Sequence, residues 1–417
     1  MDIMITPSNL AGGLNAIASK SHAHRVLICA ALSSGETAIN LSHTSRDIEA
    51  TVSCLQNLGA RISRKDGILR VTPGAVPKQA QLDCEESGST LRFLLPIAAA
   101  LCETVAFSGA GRLPERPLSP LMEEMESHGV NFSNRHLPFR VTKMQSGGVF
   151  TLPGDVSSQY ISGLLMAAPL LHDDVFIKLT SALESAGYVD MTIAAMTQFG
   201  VTVEVSEDGF AVAGGQRYIS PGTADIEGDW SNAAFWLTAG ALSGGILCGN
   251  LSLESKQGDQ AITGILAAMG ADVKWRDGFM TVSPKPLKGT VIDAADIPDL
   301  VPILAVAASV ADGETLIKNA ARLRLKESDR LDSVSDMLCS LGAEIEELPD
   351  GLLIHGKPQL RGGAVDSWGD HRIAMAAAVA ACVCREPVII KDAQAVEKSY
   401  PGFWDDYKKL GGVLDVV

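Results

Sequence analysis

The sequence predicts an α/β fold in two domains, each of three β-α-β-α-β-β repeats of about 70 residues, with buried parallel helices inside and sheets outside. Three observations predict it. A phrase made of a helix-like run, a glycine and a strand-like run recurs six times at near-constant spacing. Four of the recurrences are followed by an Asp-Gly turn signal. Six clusters of small polar or charged residues each open an almost wholly apolar helix.

The recurring phrase reads LQNLGARI, MESHGVNF, MTQFGVTV, LAAMGADV, LCSLGAEI and YKKLGGVL. Its glycines, Gly59, Gly129, Gly200, Gly270, Gly342 and Gly411, are spaced by 70, 71, 70, 72 and 69 residues. Glycine ends a helix cheaply because it adopts the left-handed conformation without a Cβ clash. Asp66-Gly67, Asp208-Gly209, Asp277-Gly278 and Asp350-Gly351 follow four of the phrases and predict tight turns between two strands. Upstream lies a second helix in each repeat, as in HRVLICAALSSGE, LRFLLPIAAALCE, YISGLLMAAPLL and HRIAMAAAVAACVC. These are apolar nearly all round, the pattern of a helix buried on every side. A strand follows, for example over residues 36–42 and 314–320. The sixth repeat is truncated, with one strand at Val413–Val417. Met4-Ile5-Thr6-Pro7 resembles Arg70-Val71-Thr72-Pro73, which closes another repeat, so residues 1–12 are expected to complete the sixth. One domain is then 13–222 and the other 1–12 with 223–417, joined by a two-strand hinge near Gly12-Gly13 and Pro221-Gly222.

With 46% hydrophobic and 20% charged residues, the 417-residue chain can bury a large core. A net charge of −15 excludes nucleic-acid binding through bulk electrostatics, so any anion must be held in a local cationic pocket. The eight cysteines form no CxxC pair or Cys/His cluster and read as reduced core residues, with no metal site expected. No signal peptide is apparent, and the longest purely apolar run, Ile373–Cys384, is shorter than the ~20 residues a membrane span needs. A cytoplasmic protein with no membrane partner is expected.

The six helix-opening clusters are Ser19-Lys20-Ser21, Gly88-Ser89-Thr90-Leu91-Arg92, Ser157-Ser158-Gln159, Gly228-Asp229-Trp230-Ser231, Ile297-Pro298-Asp299 and Asp370-His371-Arg372. N-capping alone would explain any one of them. Six in register imply converging helix N-termini, which attract anions. Arg25, Arg92, Arg116, Lys326, Arg330 and Lys398 add cations to the same ends, a pocket suited to phosphate and carboxylate. No phosphate-binding loop of the GxxxxGK[ST] type is present.

Taken together, these motifs resemble the 5-enolpyruvylshikimate-3-phosphate synthase family of enolpyruvyl transferases over essentially the whole chain. The resemblance implies an inside-out α/β barrel of two three-repeat domains. It also implies transfer of the enolpyruvyl group of phosphoenolpyruvate to the 5-hydroxyl of shikimate 3-phosphate, releasing phosphate through a tetrahedral intermediate. Lys20, Ser21, Arg25, Ser157, Ser158, Gln159, Ser185, Asp299 and Lys326 would contact shikimate 3-phosphate. Lys20, Gly88, Arg116, Gln159, Arg330, Arg372 and Lys398 would contact phosphoenolpyruvate. Asp299 and Glu327 would be the proton-transfer pair, with Lys20 a further catalytic residue. No cofactor is implied, and a monomer is expected. Glu86 stands where the family commonly has Asn, and Arg322 where it often has Asn. The residues fit this chemistry independently, since a hydroxyl proton must be removed and an enol methylene protonated, work for two carboxylates. Capping by Asp299, an intrahelical pair of Glu327 with Arg330, and a structural role for His371 are the plainer alternatives. Two other functions share some of these features: UDP-N-acetylglucosamine enolpyruvyl transfer, and anion binding without catalysis. The first motif, Lys20-Ser21, and the lack of Cys in 110–120 speak against the former; Asp299 and Glu327 among the cations speak against the latter.

Overall fold

The computed structural model describes residues 1–41 and 43–417. The chain divides into two compact units, one of Ala18–Ile226 and one of Met1–Ile17 with Glu227–Val417. Each is built around its own hydrophobic core.

One pattern repeats in the sheets. An outer strand runs parallel to a central strand, and the central strand pairs antiparallel with one arm of a hairpin. In the Ala18–Ile226 unit, Thr223–Asp225 lies parallel to Thr37–Asn40, followed by Ile68–Thr72 and Arg61–Lys65. The second sheet has three strands, Gln79–Asp83, Thr104–Ser108 and Phe139–Thr142. The third joins Gly148–Leu152, Val175–Leu179, Gly209–Val212 and Glu204–Ser206. In the other unit the central strands are Ile246–Gly249, Glu314–Lys318 and Val388–Lys391. Ser42, at the end of the strand expected over 36–42, lies outside the described residues.

A buried helix precedes each central strand, and in four of the six sheets it joins the parallel pair directly as a βαβ crossover. These helices are Lys20–Leu32, Gly88–Leu101, Ser158–Ala167, Trp230–Leu242, Val301–Ala308 and His371–Ala380. Their apolar all-round sequences are buried on every side; all eight residues of Val301–Ala308 are buried. The second helix of each repeat keeps an exposed face, a polar one in Arg46–Asn57 and Arg330–Ser340.

All six repeat glycines take positive φ, between 79° and 114°. At Asp66-Gly67 and Asp277-Gly278 both residues do, as a two-residue type I′ turn demands. The other two Asp-Gly pairs sit one position later than expected. There the turns are Glu207-Asp208 and Pro349-Asp350, and the glycine begins the return strand. A Cβ on Gly209 would stand 1.9 Å from the carbonyl oxygen of Ile177, so the close approach of strands selects glycine.

Both expected domain boundaries move. Gly12–Asn15, expected to open the first domain, runs parallel beside Ile246–Gly249 and belongs to the other unit. Thr223–Asp225, expected to open the second domain, completes the sheet of Thr37–Asn40. Each strand satisfies its backbone groups only beside a central strand of its own unit, so the chain crosses at 17/18 and 226/227 rather than at 12/13 and 222/223. Ile3–Thr6 lies between Val388–Lys391 and Val413–Val416, filling the sheet of the truncated sixth repeat. The cysteines are free thiols, but Cys339 is exposed rather than in the core, on the polar face of Arg330–Ser340. Among the described residues no helix is long and apolar enough to cross a membrane.

Candidate active site

Five of the six buried helices open on a side-chain N-cap: Ser19, Ser87, Ser157, Asp229 and Asp370. The fifth, Val301–Ala308, differs. It is preceded by a 3-10 turn, Pro298–Leu300, and Asp299 caps nothing. Its carboxylate is used elsewhere.

In the Ala18–Ile226 unit a ring of polar contacts ties together the openings of the first three buried helices. Arg25 donates from Nε to Thr192 Oγ1 at 2.7 Å and from Nη2 to the Tyr188 carbonyl at 2.8 Å. Its Nη1 reaches the Ser21 carbonyl at 2.7 Å, and its guanidinium lies 4.8 Å from the Phe93 ring centroid. Burial, partly offset by Tyr188 and Cys29, brings its pKa down to about 10. Arg25 thus fixes the first helix to the helix Ala186–Gln198, which follows Ser185. Ser185 is buried, with a left-handed backbone at φ 56°, and makes no capping bond. His24 Nδ1 meets Thr51 Oγ1 at 2.7 Å, and Thr51 meets Thr90 Oγ1 at 2.6 Å, tying the first helix to the second. Gln159 Nε2 donates to Ser89 Oγ at 2.9 Å and closes the ring between second and third. The latter two helices pack closely because Gly163 has no side chain; a Cβ there would stand 2.3 Å from the Arg92 carbonyl oxygen.

Cations surround this ring. Lys20 Nζ lies 2.8 Å from Asp47 Oδ2. At the second helix opening, a Cβ on Gly88 would stand 2.6 Å from Arg92 Nη1 and 2.7 Å from Arg116 Nη1. A helix N-terminus thus lies close to two guanidiniums, two kinds of group that each attract anions. Arg116 follows the 3-10 turn Leu113–Glu115.

In the other unit, the fourth, fifth and sixth openings are tied by charge. Arg330 is 1% exposed and meets three carboxylates at 2.7 Å each: Asp370 through Nε, Asp299 through Nη1 and Glu327 through Nη2. Burial acts to lower its pKa, but Asp370, Glu327 and Asp299 together raise it above the ordinary arginine value. Arg372 donates from Nη1 to the Asp299 carbonyl at 3.1 Å and from Nη2 to Ser231 Oγ at 2.7 Å. Its Nη2 also lies 3.3 Å from Asp299 Oδ2, and Lys326 Nζ lies 3.5 Å from Oδ1. Burial pushes Asp299 up, but Arg372, Lys326 and Arg330 outweigh it and hold the carboxyl well below the usual range. Lys398 ends the 3-10 turn Ala393–Lys398 and is buried. Arg322 donates to the Ala295 carbonyl.

Lys20, Ser21, Arg25, Gly88, Arg116, Ser157, Ser158, Gln159 and Ser185 therefore lie in one unit, and Asp299, Lys326, Glu327, Arg330, Arg372 and Lys398 in the other. The sequence reading missed Asp47, Thr192, and Ser162, which accepts from Thr192 Oγ1 at 2.8 Å. Asp47 and Thr192 were legible only as polar residues on otherwise apolar helix faces.

The sequence model of the EPSP synthase (3-phosphoshikimate 1-carboxyvinyltransferase) family matches residues 5–407. The 3-phosphoshikimate 1-carboxyvinyltransferase of Clostridium kluyveri is 45% identical over 99% of this chain and 98% of its own. That of Clostridium perfringens is 44% identical over 99% of each. The chain belongs to the EPSP synthase family. Among solved structures, EPSP synthase from Acinetobacter baumannii superimposes with a TM-score of 0.84 at 24% identity, covering 100% of this chain and 99% of that one. The enolpyruvyl transferase NikO from Streptomyces tendae gives 0.79 at 16% identity, covering 99% and 98%. At such identities the likeness is one of fold, and it shows that EPSP synthases share the two-domain α/β architecture described above.

Proposed function

We propose that the two polar clusters hold the substrates of carboxyvinyl transfer, and that Asp299 and Glu327 move its protons. The EPSP synthase reaction joins the enolpyruvyl group of phosphoenolpyruvate to the 5-hydroxyl of shikimate 3-phosphate and releases phosphate. Shikimate 3-phosphate takes its contacts from Lys20, Ser21, Arg25, Ser157, Ser158, Gln159, Ser185, Asp299 and Lys326. Phosphoenolpyruvate takes its contacts from Lys20, Gly88, Arg116, Gln159, Arg330, Arg372 and Lys398. The protein works as a cytoplasmic monomer, in a compartment that keeps its eight thiols reduced.

Asp299 accepts the 5-hydroxyl proton as the oxygen attacks C2 of phosphoenolpyruvate, and Glu327 protonates the C3 methylene. A tetrahedral intermediate results. Its C2–O bond to phosphate then breaks, Glu327 takes a C3 proton back, and the leaving phosphate takes the proton from Asp299. The single observation that carries this reading is that both carboxylates meet on one guanidinium, Arg330, at 2.7 Å each. A shared cation fixes two acid–base groups in one place, as proton transfer at neighbouring atoms requires. Asp299 is too weak a base while three cations hold it. Diversion of Arg372 to the substrate anion removes one of them and raises its basicity.

Kinetics of arginine variants test the assignment. Arg116→Ala and Arg372→Ala are each expected to raise the KM for phosphoenolpyruvate by ~10-fold or more, because a charge-assisted hydrogen bond contributes ~1.5–3 kcal/mol. Unchanged KM in both variants would overturn it. Arg330→Ala removes the guanidinium shared by Asp299, Glu327 and the buried Asp370 and is expected to destabilise the protein as well.

A further inference from the structure

Asp259 is used by none of the contacts described so far. It lies in a 3-10 turn, Gly258–Ala261, is 2% exposed, and its carboxyl oxygens make no well-formed hydrogen bond, the Ser231 hydroxyl being the one neutral polar group that acts on them. The turn is fixed by its neighbour Gln257. The Gln257 amide accepts from the Trp230 backbone N–H at 3.0 Å and donates to the Gly228 carbonyl at 2.8 Å. Asp259 is thereby held at the opening of the fourth buried helix, beside Ser231. The charged groups acting on it are Asp299 from the fifth opening, Arg372 from the sixth and Asp229 from the fourth. Ser231 Oγ already accepts from Arg372 Nη2 at 2.7 Å, so its own O–H is available to point towards Asp259. Arg372, Ser231 and Asp259 form a line from the proposed substrate-binding guanidinium to a buried carboxyl.

The charge balance decides what that carboxyl does. Among the groups described so far, three cations, Lys326, Arg330 and Arg372, face five carboxylates, Asp229, Asp259, Asp299, Glu327 and Asp370. A substrate anion that draws on Arg372 leaves Asp259 with less compensation still, and a buried uncompensated carboxylate sheds its charge by taking a proton.

We propose that Asp259 is a positioning residue for Arg372, acting through Ser231, and that it takes up a proton from solvent when the phosphoenolpyruvate anion binds. The inference rests on the reading that Arg372 holds this substrate. Burial first, then Asp299 and Asp229, already push Asp259 up to about 6 in the face of Arg372 and Ser231. Its ionisation therefore falls within the working pH range, and phosphoenolpyruvate binding weakens as pH rises through that value.

The test is the KM for phosphoenolpyruvate of wild type and of Asp259→Asn between pH 5 and 8. The ratio of the two cancels the titration of the substrate's own phosphate. The wild-type to variant ratio is expected to be near 1 at pH 5 and to rise about three- to tenfold by pH 8, the range set by one like charge at partly buried separation. The KM for shikimate 3-phosphate, measured in parallel, does not follow this trend. A ratio that stays flat across the range, or one shared by both substrates, overturns the proposal. Ser231→Ala provides a second arm if Asp259→Asn does not fold. Loss of the hydroxyl raises the carboxyl's pKa, so the pH dependence moves upward, and an unmoved profile overturns the proposal equally. Arg372→Ala separates the two layers of inference. A raised KM there with a flat Asp259→Asn ratio removes only Asp259, whereas an unchanged KM removes the reading on which it rests.

Discussion

Three cations converge on the carboxylate of Asp299, and the role proposed for it follows from them rather than from the helix it precedes. Its position at a helix opening was legible in the sequence, but capping, the plainer alternative there, predicts that Asp299→Asn leaves stability unchanged. The contacts with Arg330 and Arg372 predict otherwise. Asp299→Asn is expected to cut turnover by at least ~10²-fold and also to lower the melting temperature, since it leaves buried guanidiniums short of a counter-charge. Glu327→Gln is expected to cut turnover comparably with a smaller stability change, because Arg330 keeps two other carboxylates. Steady-state kinetics and thermal melts on the two purified variants check both. Near-normal turnover in both would remove the pair from the mechanism. The cations around Asp299 were visible in the sequence as motifs. Asp259 was not, because nothing in the local pattern of a lone aspartate distinguishes a buried carboxyl from a solvated one.

At the scale of elements, the repeat phrase and its six glycines were legible because helix termination by glycine is a local backbone property. The exchange of the strands Gly12–Asn15 and Thr223–Asp225 was not, because strand pairing is non-local and both segments carry the same short alternating pattern. Two predictions belong here. Gly163→Ala places a Cβ against the Arg92 carbonyl, so it is expected to destabilise by ~1–3 kcal/mol and to loosen the Gln159–Ser89 contact. Chemical denaturation measures the first. The second concerns His24. Burial first, opposed by Asp47 and assisted by Lys20 and Arg25, brings its pKa down to about 3. The unfolded chain binds a proton there below ~6.5 while the folded chain does not, so stability rises with pH across this window and is lost as pH falls. His24 accounts for about 1.6 kcal/mol of the loss between pH 6.5 and 5, and His24→Gln is expected to show a shallower decline in melting temperature. Equal slopes for wild type and variant would contradict this placement of His24.

At the scale of the whole molecule, two closed hydrophobic cores divide between a continuous segment and a discontinuous one. Ala18–Ile226 contains all three of its sheets, including the returning strand Thr223–Asp225, and is expected to fold alone with a cooperative thermal transition. A fragment ending at 222 lacks that strand, exposes the edge of Thr37–Asn40, and is expected to be less stable. Circular dichroism melts of the two fragments distinguish the boundaries. A net charge of −15 surrounding cation-rich helix openings also confines anion binding to specific sites, so activity belongs to small charged substrates rather than to polyanions. The most direct measurement is phosphate release from phosphoenolpyruvate by the purified protein, offered shikimate 3-phosphate, UDP-N-acetylglucosamine or no acceptor. Release with shikimate 3-phosphate alone is the predicted result; release with the UDP-sugar, or no release with shikimate 3-phosphate, would contradict it.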